Sequence, residues 1–212
     1  MTTLSSRSIF LAALITGLFV ARPSVALEQP AYQLVEEFGD LQIRRYEPMI
    51  VARTLVDEDF DDAGNEGFRR LAGYIFGGNV DDQRIAMTAP VGLSPVEISG
   101  RAEQSEADVY WITFSMPGKY DMDTLPVPDD SRVELVAEPE RYVAVVRYKG
   151  GWAQSRYRTH EARLLALVDE LSGWAKKGEV SWARYNPPFV PGFLKTNEVA
   201  IEVVPAHVAQ SQ

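Results

Sequence analysis

Two segments with helical periodicity each stand between strand-like segments, and that order, met twice, narrows the folds open to this chain. In the first half, Tyr32–Phe38 and Leu41–Tyr46 flank the turn residues Gly39 and Asp40 and read as a hairpin. Glu47-Pro48 interrupts the second strand, and residues 49–56 resume it. After an acidic loop at 57–62, Phe68, Leu71, Ala72 and Ile75 recur at i, i+3, i+4 and i+7, one face of an amphipathic helix. Asp61 and Asp62 suit its N-terminus and Gly77-Gly78 its stop. Residues 84–95 and Val109–Ser115 follow as strands. The second half repeats the order. Residues 133–137 and 142–148 form a hairpin before a second double glycine, Gly150-Gly151. A helix then carries Tyr157, His160, Leu164, Leu167, Val168, Leu171 and Trp174 along one side and stops at Gly178. Strands at 180–185 and 198–204 close the chain around the Pro-rich loop 186–193. Two such units merge naturally into one antiparallel α+β domain carrying two helices. The linker at 121–130 shows no shift of composition that would divide it, so residues 27–206 read as a single domain and 207–212 as a disordered tail.

The stretch RIAMTAPVGLSP, residues 84–95, combines two opposing signals. Ile85, Met87, Ala89 and Val91 alternate like the buried face of a strand, with Thr88 on the other side, yet Pro90 removes a ladder donor. Proline is tolerated there only at an edge, a bulge or the limit of pairing, and that is where Pro90 is expected.

The first 26 residues read as a cleaved export signal. Arg7 supplies a basic start, residues 9–20 an apolar run too short to span a bilayer, and Ser24-Val25-Ala26 a small-x-small cleavage pattern. Removing them leaves 186 residues and, through the loss of Arg7 and Arg22, takes the net charge from −9 to −11. Such a surface repels nucleic-acid backbones and anionic lipid heads, so neither is an expected partner, and no membrane span is expected after cleavage. An exported chain without cysteine has neither disulfides nor thioether-linked haem. The expected compartment is a bacterial periplasm.

Catalytic signatures are missing from the sequence. The histidines are His160 and His207, no G-x-S-x-G elbow occurs, and His160-Glu161 fails the H-E-x-x-H zinc pattern because residue 164 is leucine. The acidic loop fails as a calcium hand: a count from Asp59 puts glycine correctly at Gly64 but leaves Ala63 and Arg70 at ligand positions. Neither double glycine forms a phosphate loop. Large apolar residues beside loops, Phe76, Trp152, Phe189 and Phe193, fit a binder of apolar ligands better than an enzyme. Met87 and Met116 read as core fillers that could also offer a thioether to iron.

The order of Tyr46-Glu47, Gly77-Gly78-Asn79, residues 85–91 (IAMTAPV), Phe114-Ser115-Met116-Pro117, Gly150-Gly151, Tyr185-Asn186-Pro187-Pro188 and Asn197-Glu198-Val199 resembles the SOUL haem-binding family. The resemblance implies a distorted eight-stranded barrel with two helices, built from two pseudo-symmetric halves of hairpin, helix and two strands. It also implies non-covalent binding of haem or another tetrapyrrole in an apolar groove between the first helix and the loop before the last strand. Carried onto this chain, the groove falls on Phe68, Leu71, Ala72, Ile75, Phe189 and Phe193. The family's basic propionate partners fall here on Glu66, Tyr74 and Val190, so Arg69, Arg84, Arg70 or Lys195 would have to serve instead. His160 is the weak candidate for an axial iron ligand, and no metal site of the chain's own is expected. The expected role is a periplasmic carrier or buffer. A different apolar ligand such as a lipid, with haem binding incidental, is the alternative.

Overall fold

A computed structural model of the chain describes residues 27–96 and 109–209. The expected leader, 1–26, lies outside the described residues, as do 210–212. In chain order the elements are β1 (Tyr32–Phe38), β2 (Leu41–Tyr46), β3 (Met49–Asp57), α1 (Phe60–Ile75), β4 (Val91–Pro95) and β5 (Val109–Ser115). They continue with β6 (Val133–Glu138), β7 (Arg141–Lys149), α2 (Gln154–Asp169), β8 (Trp174–Arg184), β9 (Thr196–Pro205) and the short α3 (Ala206–Ala209). The nine strands of the described residues join one antiparallel sheet in the order β1-β2-β7-β9-β8-β4-β5-β3-β6.

That order contains the internal duplication. One unit is β2-β3-α1-β4-β5 and the other β6-β7-α2-β8-β9, and exchanging the units turns the order of those eight strands back onto itself. Each unit lends its first strand to the other: β2 pairs with β7, and β6 with β3. The expected hairpin between 133–137 and 142–148 is therefore absent; its two strands exist but part at Pro139 and Glu140. The strands on either side of Glu47-Pro48 part in the same way. Proline cannot donate to a ladder, and both breaks carry one. β1 is a ninth strand added to the eight, exposed along its whole length. The expected barrel is also corrected, because hydrogen bonding leaves the described sheet open, with β1 and β6 at its edges.

One transverse row sets the register. Leu41, Val146, Val199, Trp182, Leu93, Ile112, Thr54 and Val133 are successive cross-strand partners from β2 to β6, and every one is buried. Side chains alternate across a strand, so this row fixes which face is dry. Both helices cover that face, α1 against β3 and β5, and α2 against β7, β8 and β9. On the opposite face the buried Arg44 guanidinium holds the Glu198 carboxylate at 3.0 Å, and the Tyr185 hydroxyl donates to Glu198 at 2.7 Å. Removing one member of such a pair strands the other charge.

Helix α1 lies unusually close to the sheet. A Cβ at Gly67 would fall inside the Ile112 side chain, and one at Gly64 inside the Arg184 guanidinium. The Asp59 carboxylate accepts the Asp62 amide at the helix N-terminus. Gly77, with φ of +116°, takes the left-handed conformation that ends the helix, and Gly78 N–H returns to Gly73 O at 2.9 Å.

Three local expectations change. Helix α2 ends at Asp169, so Trp174 and Gly178 belong to β8, where a register shift between Lys177 and Ser181 accommodates Gly178 at φ +71°. Residues 84–89 are unladdered apart from a bridge from Thr88 to Glu28, and β4 begins only after Pro90. Pro90 thus stands where pairing starts, and Thr88 is buried, donating its hydroxyl to Ser115 O at 2.7 Å. Residues 207–209 lie in α3.

The helix–sheet contact gives a paired test by urea denaturation. Gly67→Ala forces α1 away from Ile112 and is expected to lower stability by about 1–3 kcal/mol. Gly73→Ala, whose new methyl meets nothing within 4 Å, is expected to raise it by about 0.5–1 kcal/mol.

Candidate functional site

The second transverse row of the dry face runs Tyr148, Asn197, Arg184, Val91, Phe114, Ala52 and Leu135. Asn197 and Arg184 stand side by side in it, and they are treated differently. Asn197 is satisfied: its amide donates to Gly150 O at 2.9 Å, and its carbonyl accepts the Tyr157 hydroxyl at 3.2 Å. Arg184, 8% exposed, has no ion-pair partner among the described residues, and its Nε has no acceptor. Its guanidinium carbon lies 5.4 Å from the Phe60 ring centre, 4.8 Å from Trp152 and 5.8 Å from Tyr157, so aromatic faces supply its environment.

Arg184 forms part of the wall of an apolar pocket of about 270 Å³. Helix α1 contributes Gly64, Asn65 and Phe68, and Phe76 follows at its end. Met87, Thr88, Ala89 and Val91 form another wall, so the stretch around Pro90 lines this site. Trp152 and the Tyr185-Asn186-Pro187-Pro188 turn complete it, with Leu27 at the margin. Lys195, also 8% exposed, places its ammonium 3.5 Å from the centre of the Trp152 ring. Burial, and then repulsion from Arg184, push its pKa below the usual value. The Trp152 indole N–H is buried and has no acceptor.

The residues expected in the groove divide. Phe68 lines the pocket. Leu71, Ala72 and Ile75 face the sheet as core. Phe189 and Phe193, 85% and 76% exposed, stand on the loop beyond Pro188, outside the enclosed volume. Arg69 is exposed and paired with Glu66. Arg70 is held by Glu66, Thr54 and Leu55 O, and Arg84 is exposed outside the pocket. His160 does not line the pocket: its ring stacks on Tyr148 at 3.7 Å and 15°. Arg184 is the residue that sequence reasoning missed. The signal was the alternation Val180, Trp182, Arg184, which continues a buried strand face onto a cation.

Two larger depressions, of about 510 and 490 Å³, lie elsewhere. The second crosses the sheet face away from the helices and gathers Glu138, Glu140, Glu179, Glu198 and Glu202 against Arg141 and Lys177. Its polar, acid-rich lining suits neither an apolar nor an anionic ligand.

Comparison with known proteins adds the lineage. The family model described as "SOUL heme-binding protein" matches residues 27–202. "Heme-binding protein 2" of Mus musculus is 32% identical over 170 residues, covering 77% of this chain and 80% of that protein. Among solved structures, the EcmrR C-terminal domain superposes with a TM-score of 0.56 at 13% identity, covering 82% of this chain and 99% of that one. A hydrolase encoded by lin2189 from Listeria innocua does so at 0.55 and 12%, covering 78% and 92%. At such identities these two show a shared fold alone.

His160 supplies a pH signature separate from the pocket. Burial, then the charges of Arg156 and Arg163, hold its pKa below the ordinary 6.5. The unfolded chain therefore takes up a proton near pH 6.5 before the folded one does, so this contribution is complete above 6.5 and is lost as pH falls through the folded value. Urea midpoints measured between pH 7.5 and 5 are expected to fall less in His160→Phe, which keeps the stack, than in the parent. An identical fall in both contradicts the assignment.

Proposed function

The chain belongs to the SOUL heme-binding protein family, and on that premise we propose that it binds haem or another tetrapyrrole non-covalently in the pocket between α1 and the β8–β9 loop. The observation that carries the reading is an apolar pocket with buried, acceptor-less N–H groups in its wall. Apolar walls favour a macrocycle face, and a cation without a carboxylate partner suits a ligand carrying negative charge. Phe68, Phe76, Met87 and Pro188 would hold the ring by contact. Met87 and Tyr185 are residues of this lining whose side chains are of types that ligate haem iron, and the Tyr185 hydroxyl is already engaged by Glu198. The enclosed 270 Å³ falls just below the ~300–1,000 Å³ typical of ligand pockets, so part of a tetrapyrrole would lie outside, toward Phe189 and Phe193.

The same small volume supports the second reading, a slimmer apolar ligand such as a lipid. Mass spectrometry of what co-purifies with the protein separates the two. Export to a periplasm and service there as a carrier or buffer complete the proposal, supported by the sequence of residues 1–26.

Titrating hemin into the protein at micromolar concentration is expected to give a saturable shift of the Soret band. Phe76→Ser, which removes an exposed wall residue at little cost to the fold, is expected to weaken binding about tenfold, equal to ~1.4 kcal/mol. A spectrum unchanged by the protein contradicts the proposal.

A further inference from the structure

Net charge argues against an anionic surface as a partner, but the charge is unevenly spread. The chain carries 30 acidic residues, yet residues 141–160 and 180–197 contain none. The fold brings these two segments together where β7 ends and β9 begins. Gly150 N–H donates to Lys195 O at 3.1 Å, Lys149 Nζ donates to Thr196 Oγ1 at 2.6 Å, and a Cβ at Gly192 would lie 3.5 Å from Gly151 Cα. Arg147 and Arg158 of the first segment meet Glu198 and Glu161, which lie just outside the two segments. Lys149 and Arg156 are exposed and have no carboxylate partner among the described residues, and Arg156 lies over Gly150, whose Cβ would fall 2.7 Å from its Cδ. Between the strands runs a loop, residues 185–195, that holds its largest apolar side chains in water: Phe189 is 85% exposed, Phe193 76% and Leu194 53%. That exposure is built in. Pro187, Pro188 and Pro191 restrict the backbone, Val190 N–H returns to Pro187 O at 3.2 Å, and Leu194 N–H returns to Pro191 O at 2.9 Å. The Asn186 side-chain carbonyl accepts the Thr196 amide across the base at 2.6 Å. Two closed turns on a tied base leave the chain little freedom to fold its phenylalanines back onto the sheet.

We propose that the loop between β8 and β9, with Lys149 and Arg156 at its base, docks on the surface of an anionic phospholipid bilayer. Exposed rings at a loop tip enter between headgroups, while ammonium and guanidinium groups beside them stay at the phosphates. Pro187, Pro188 and Trp152 belong to the pocket lining, so docking sets this rim of the pocket against the membrane. The other rim, where Phe76 is followed by Asp81 and Asp82, carries the wrong charge and stays off the surface. A second copy of the chain fits the patch less well, because a two-fold contact would bring Lys149 and Arg156 towards their own counterparts. Docking goes beyond ligand binding and stands whatever the pocket holds. It gives an apolar ligand a path between bilayer and pocket that does not cross water.

The test is co-sedimentation of the mature protein with vesicles at low salt. Vesicles of phosphatidylglycerol and phosphatidylcholine in equal parts are expected to bind it about fivefold more strongly than vesicles of phosphatidylcholine alone. The double variant Phe189→Ser/Phe193→Ser, which changes only exposed side chains, is expected to lower binding to the mixed vesicles about tenfold. Lys149→Gln/Arg156→Gln is expected to bring the two kinds of vesicle within about twofold of each other, with its hemin titration unchanged. Sedimentation with neither vesicle, equal sedimentation of the parent with both, or undiminished binding in the phenylalanine variant overturns the docking. So does a dimer, seen by gel filtration without lipid, that the phenylalanine variant dissolves. Hemin binding without sedimentation overturns the docking and leaves the pocket reading standing. Sedimentation with the expected variant effects but without hemin binding upholds the docking and removes the tetrapyrrole reading.

Discussion

A single transverse row of buried side chains, Leu41 to Val133 through Trp182 and Ile112, is the constraint from which the rest of the molecule follows. It crosses eight strands and fixes their register, because a slip by one residue would turn a whole strand's apolar set to water. It also decides where the helices go, since both must cover the face that this row makes dry. With α1 set down on Ile112 through Gly67, the next row along the strands falls at the margin of the helix cover. There the apolar pattern gives way to Asn197 and Arg184, and a pocket opens. The site is what remains where the core runs out.

Much of this was legible in the sequence because it depended on local periodicity. The stripe in α1, the strand alternations, the double glycines and the duplicated element order all have local causes. What the sequence did not display was the exchange of first strands between units, which makes β6 a partner of β3 and β7 a partner of β2. Two strands joined by Pro139-Glu140 look like a hairpin when only their own residues are read. The length of α2 was misjudged for a related reason. Leu171 and Trp174 extend its apolar spacing, but Trp174 packs on Tyr142 from within β8, its ring 5.1 Å away.

The site divides along the same line. Of the large apolar residues beside loops, Phe76 and Trp152 line the pocket and Phe189 and Phe193 do not, while Phe68 of the helical stripe joins the lining. Leu71, Ala72 and Ile75 share the helical stripe with Phe68, yet they face the sheet, because helix and sheet are too close for a ligand between them. The basic residues were sought at Arg69, Arg70 and Arg84, close in sequence to α1, and at Lys195; Arg69 and Arg70 are engaged by Glu66, whereas Lys195 stands over the Trp152 ring. The cation that lines the pocket comes from β8, more than a hundred residues later, and is brought there only by the register of β4 on β8. The RIAMTAPVGLSP stretch is reread in turn. Its Pro90 marks where β4 starts pairing, and Met87 to Ala89 form a wall of the pocket rather than a paired strand.

The central claim is that an apolar ligand seats against α1 and the loop after β8, and not on the acid-rich face of the sheet. A crystal structure of the hemin complex, with the iron located by anomalous scattering, tests it most directly. The account predicts a single iron peak beside Phe68, Met87 and Pro188. An iron peak over the opposite face, among Tyr46, Lys177 and Glu202, would contradict it.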